Sequence, residues 1–204
     1  MTDLLPTETR ATEPATGTPA TGTFVQTPSQ TVGPFYGYAL PYDKGPELVP
    51  GHHPHAIRLH GTVTDGAGEP VIDALLEIWQ ADGEGNLSRE LGSLDRDGFT
   101  FTGFGRAAAT MAGQYTFTTV KPGPVAGHAP YALVTVFARG LTHHLFTRVY
   151  FEADAAQLET DAVLALVPAD RRDTLISVQD GPSSYRFDIR LQGEGETVFL
   201  DFDA

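Results

Sequence analysis

Apolar and polar side chains alternate along residues 57–63. Ile57, Leu59, Gly61 and Val63 share one face, and Arg58, His60 and Thr62 share the other. That period of two predicts a strand with one side buried. The Gly-rich stretch TDGAGEP at 64–70 ends it in a turn. VIDALLEIWQ at 71–80 then aligns Ile72, Ala74, Leu76 and Ile78. Propensity alone allows a helix here, but the preceding turn, the β-branched residues and the ADGEGN break that follows favour a strand. Similar segments predict strands at 99–104, 114–120, 132–138, 145–152, 185–191 and 197–202. Two pieces have helical character: 155–167, with Leu158, Ala162, Leu164, Ala165 and Val167, and ADRRDTLISV after Pro168. Many short strands separated by turns predict an all-β fold, a two-sheet β-sandwich with a short helical insert.

The alternation is missing before residue 56. Residues 1–23 are dense in Thr, Pro and Ala and poor in large apolar groups. Ordering them would cost backbone entropy for little burial, so a flexible tail is expected over residues 1–26. TPSQTVGPFYGYALPY at 27–42 differs, placing Val32, Phe35, Tyr36, Tyr38, Leu40 and Tyr42 among Pro and Gly. It has aromatic surface to bury but no regular period. Two readings stay open: an arm packed over its own sheet, and an arm that also meets another chain or lines a pocket. Residues 27–204 are expected to form a single domain carrying this arm, since a chain of 204 residues supports one full core.

Composition narrows the partners. Asp and Glu number 26 against 13 Lys and Arg, for a net charge of −13. Such a field opposes a phosphate backbone and argues against nucleic acid, although one local Arg can still attract a small anion. The absence of cysteine removes disulfides, thiolate nucleophiles and sulfur-ligated metals together. No apolar run is long enough for a membrane span and no signal-peptide pattern opens the chain, so cytoplasm is the expected compartment.

Candidate chemistry is sparse. GHHPH at 51–55 resembles a metal motif, but neighbouring imidazoles on an extended link diverge, and a solvated loop is expected. His143 and His144 are sequence neighbours pointing opposite ways, and His60 falls on the outward face of its strand. DRDG at 95–98 lacks the later ligands of a calcium loop. FGR at 104–106, with glycines at 103 and 105, lacks a dinucleotide-loop setting, so these glycines are expected to permit a bulge or close strand approach. No nucleophile elbow is present, and every Asp or Glu reads as a turn or solvated residue. Arg139 stands apart, because it directly follows the apolar strand ALVTVFA and precedes Gly140. It reads either as a solubilising strand end or as a fork of donors for a carboxylate.

The stretches TPSQTVGPFY, LLEIWQAD, YTFTTVKPG, APYALVTVFARG, LFTRVYFEAD and YRFDIRLQGEGETVFLDF occur in this order. Together they resemble the intradiol ring-cleaving dioxygenases over about residues 27–202, and within that family a subunit of its two-chain type. The resemblance implies a β-sandwich and a higher alpha–beta oligomer. It also implies a homologous beta subunit holding Fe(III) with two Tyr, two His and a solvent-derived ligand. The shared site would cleave protocatechuate with O2 to 3-carboxy-cis,cis-muconate.

At the positions matching the four protein ligands this chain has Leu87, Val125, Tyr131 and Leu133. Three of these side chains offer no donor atom, so the resemblance implies no iron in this chain. It carries over as substrate-pocket residues Thr31, Gly33, Pro34, Tyr36 and Arg139. Trp79 is expected in the core instead. The alternatives are a self-sufficient intradiol enzyme acting on another catechol and a non-enzymatic β-sandwich binding module.

Overall fold

The computed structural model describes residues 28–33, 35–90, 96–152 and 155–202. The tail expected at 1–26 and the candidate Pro34 lie outside the described residues. Alternating burial builds the first strand as its sequence predicts. In β1 (Ala56–Thr64) Leu59 and Val63 are buried while Arg58 is exposed. β2 (Leu75–Gln80), β3 (Phe104–Ala108), β4 (Gln114–Val120), β5 (Tyr131–Phe137) and β6 (Leu145–Phe151) follow. Next come α2 (Ala155–Leu158), α3 (Ala162–Leu166), a 3₁₀ helix (Ala169–Leu175), β7 (Ile176–Gly181), β8 (Ser184–Arg186) and β9 (Ile189–Arg190). α1 (Tyr36–Ala39) lies in the arm.

Hydrogen bonds connect the strands in the order β3-β2-β5-β6-β7-β8-β1-β4, with β9 added to β1. The layers of the expected sandwich are therefore joined along one edge by β7, which runs parallel to β6 and antiparallel to β8. Leu76, Ile78, Val134, Val136 and Val149 face Leu59, Val63, Phe117 and Tyr185 across the core. Each such side chain contributes about 1.5–3 kcal/mol by leaving water. A close strand approach is found at Gly103, where a Cβ would stand 2.4 Å from the Gln80 carbonyl oxygen and φ is +72°.

Several elements differ from the sequence expectation, each for a local reason. β2 begins at Leu75 rather than Val71, because the Ala74 amide donates to Val71 O in a turn and Ile72 stays exposed. The strand expected at 99–104 starts only at Phe104. Asp97 ties the amides of Phe99 and Thr100 into a turn instead. Residues 155–167 form two helices, because Asp161 caps the second through the amides of Val163 and Leu164. The helix expected through ADRRDTLISV stops at Leu175, where β-branched Ile176 pairs with Tyr150. Residues 185–191 divide into β8 and β9, and 197–202 makes only a bridge, Phe146 to Leu200. β7 pairs with Tyr150 and Phe151, at the far end of β6 from Phe146.

Candidate functional site

The outer face of β2, β5 and β6 is built by register. Trp79 pairs with Leu133, Leu133 with Arg148, and Tyr131 with Tyr150, so these side chains project together. Trp79 is consequently not a core residue. It is half exposed and lies against Phe104 with ring centroids 4.7 Å apart. Leu87, Val125, Tyr131 and Leu133 line one cavity of about 160 Å³, together with Trp79 and Thr102. The four positions that the sequence matched to a ligand set are thus neighbours in space.

Their chemistry does not fit ferric iron. Leu87, Val125 and Leu133 have no lone pairs, and Tyr131 lies beneath the guanidinium of Arg148, 3.9 Å from the ring centroid. Among the described residues, no group of three or more His, Asp or Glu could hold a metal ion.

Behind this cavity lies a polar cluster that sequence reasoning missed. Asp161 is fully buried, correcting the expectation that every carboxylate is solvated or in a turn. It accepts from the amides of Ala129, Val163 and Leu164, from Tyr150 Oη at 3.1 Å, and from His128, whose Nδ1 lies 3.1 Å away. Burial alone would raise its pKa. The Leu164 and Ala129 amides, Tyr150 and His128 outweigh that effect and hold it below its ordinary value. Burial also pushes Tyr150 up to about 12, against the opposing pull of Arg148.

At the other end of β5, the arm grips the corner containing Arg139. Thr31 Oγ1 accepts from the Gly140 amide at 2.8 Å. Gly140 has φ +97°, in the left-handed region that glycine tolerates best. The Tyr36 hydroxyl donates to the Asp73 carbonyl. Burial pushes the Tyr36 phenol up to about 12, reinforced by the Asp73 charge and opposed by Arg139. Arg139 is two-thirds exposed, with Nε 3.3 Å from Asp73 Oδ2. Arg106 fixes the arm further along by donating to Leu40 O at 2.7 Å while paired with Glu77. The arm therefore lies on its own sheet, yet Phe35 and Tyr38 remain 77% and 85% exposed.

The structure thus brings Thr31, Tyr36 and Arg139 together, with Asp73 as a fourth member that no local pattern announced. Gly33 is in the same arm, where its carbonyl accepts from the Tyr36 amide. Of the remaining histidines, His53 and His55 pack edge to face with ring centroids 6.0 Å apart, on the wall of a cavity of about 710 Å³ that Asp82 and Glu84 also line. His60 lies 2.9 Å from Asp180, whereas His143 and His144 are both exposed, the latter against Phe137 and Phe146.

Comparison with known proteins decides the lineage. The dioxygenase family profile matches residues 31–193. The chain belongs to the intradiol dioxygenase family. It is 45% identical to the protocatechuate 3,4-dioxygenase alpha chain of Burkholderia cepacia, across 88% of this chain and 98% of that one. It is 32% identical to the beta chain of the same enzyme and organism, across 67% of this chain and 64% of that one. The dioxygenase domain of a carbohydrate-binding fusion protein from Streptomyces sp. SirexAA-E shares the fold. Its TM-score is 0.55 at 27% identity, covering 82% of this intradiol chain and 98% of that structure. The intradiol family is iron-dependent. No helix among the described residues is long and apolar enough to cross a membrane.

Proposed function

We propose that this chain is the iron-free alpha subunit of an alpha–beta protocatechuate 3,4-dioxygenase. It is a single β-sandwich domain whose arm and Arg139 corner help form a substrate pocket beside the ferric centre of a homologous beta subunit. Thr31, Gly33, Pro34 and Tyr36 supply the wall, and Arg139 faces the substrate carboxylate. The assembled enzyme consumes protocatechuate and O2 and yields 3-carboxy-cis,cis-muconate in the cytoplasm. Redox chemistry belongs to the partner's iron. This chain contributes orientation and a fixed positive charge.

One observation carries the reading. The donor-poor cavity surrounds Tyr131 and Leu133 at the start of β5, whereas Arg139 follows its end. Six residues of extended chain separate Tyr131 from Phe137, about 20 Å. A guanidinium at that corner cannot serve this chain's own former ligand positions. It can serve a metal site in an adjoining molecule.

The test is Arg139→Ala in the alpha–beta complex. We expect kcat/KM for protocatechuate to fall about tenfold or more, with iron content unchanged. Equal kinetics at equal iron would remove Arg139 from the pocket. Stoichiometric iron and ring cleavage by the isolated chain would overturn the whole assignment.

A further inference from the structure

Arg139 lies in the turn just after β5, is two-thirds exposed, and has a long side chain with several free torsions. Left alone, such a group would sample many directions and make a poor recognition element. In this structure its inner nitrogen, Nε, lies 3.3 Å from Asp73 Oδ2, within ion-pair distance. Among the described residues, neither terminal nitrogen makes a hydrogen bond. The forked end that suits a carboxylate is therefore left available. Asp73 sits in the turn before β2, and that turn is itself fixed. The Asp73 main-chain carbonyl accepts from the Tyr36 hydroxyl.

We infer that Asp73 is the positioning residue for Arg139, aiming the guanidinium so that its terminal nitrogens meet a carboxylated catechol. The inference rests on the reading that Arg139 meets the substrate carboxylate. A competing effect has the opposite sign. Asp73 also carries a negative charge, and neutralising Arg139 would weaken anion binding. Water screens both effects of so exposed a pair, so the sign of the change on removing the Asp73 charge decides between them.

Asp73→Asn separates the two effects. It retains the main-chain carbonyl that holds Tyr36 and removes only the charge facing Nε. In the assembled alpha–beta complex we expect the ratio of kcat/KM for protocatechuate over catechol to fall about three- to tenfold, mainly through KM. Asp73→Glu should recover part of the ratio. In an Arg139→Ala background, Asp73→Asn should change the ratio no further. An unchanged or raised ratio, or an equal loss on both substrates, overturns the inference. So does full additivity with Arg139→Ala. If Arg139→Ala itself leaves the ratio intact, the pocket reading fails instead, whatever Asp73 does. Should Asp73→Asn not assemble, Asp73→Ser keeps the same carbonyl and the same criteria apply.

Discussion

The two ends of β5 place polar side chains in opposite ways. At its start, apolar Leu87, Val125 and Leu133 share a cavity with Tyr131, which is covered by a guanidinium. At its end, the hydroxyls of Thr31 and Tyr36 and the carboxylate of Asp73 engage the Arg139–Gly140 corner. The hydrocarbon of Leu87, Val125 and Leu133 asks for no hydrogen-bond partner. The polar corner draws its partners from two places, Thr31 and Tyr36 in the arm and Asp73 in the turn before β2. One end stays intact by packing, the other by hydrogen bonds that a single substitution can cut.

The comparison breaks most severely at Asp161, behind the cavity. Asp161→Ala should cost about 3 kcal/mol in urea unfolding, since it removes a helix cap and strands Tyr150 and several amides. A loss below about 1 kcal/mol would mean that those groups find other partners. The same residue sets an acid limit. Its folded pKa lies below its ordinary 3.8, so the unfolded chain binds the proton more readily. The stability it contributes is fully present above the unfolded value and disappears as pH falls through the folded one. Asp161→Asn should flatten that part of the pH–stability curve.

Smaller effects test the arm. Tyr36→Phe leaves the Asp73 carbonyl without its partner, at a cost of about 1 kcal/mol confined to the corner. Hydrogen exchange at the Gly140 amide, held by Thr31 of the same arm, should quicken roughly fivefold, with the β6 amides unaffected. Uniform acceleration would show that the arm supports the whole sandwich. Arg148→Met should have the smallest effect, within about 1 kcal/mol. It gives up the contact with Tyr131 but also removes a buried Nε without a hydrogen-bond partner. A large loss would make that cation a principal support of the cavity.

The sequence disclosed these features unevenly. Alternation reveals β1 because Ile57, Leu59 and Val63 repeat at the spacing a buried face demands. The resemblance singles out Leu87, Val125, Tyr131 and Leu133 individually, and the fold gathers these four residues into one cavity. Asp161 was opaque. Its burial depends on Ala129, Tyr150 and α3 converging, and no window of sequence contains all three. Asp73 looked like one more turn residue, since its partner Arg139 comes from a distant strand end. Trp79 misled because an aromatic in an apolar strand suggests the interior, whereas strand parity turns it outward.

β7 joins the two layers through only two pairs with β6, Tyr150 with Ile176 and Phe151 with Ser177. Parallel neighbours cannot be closed by a tight hairpin, so the chain must travel out and back through the helical insert. That detour acts as a clasp on a narrow seam. If α3 loosens, the β6–β7 edge becomes the place where the layers first part, and the β1–β4 ladder is left to hold together longest.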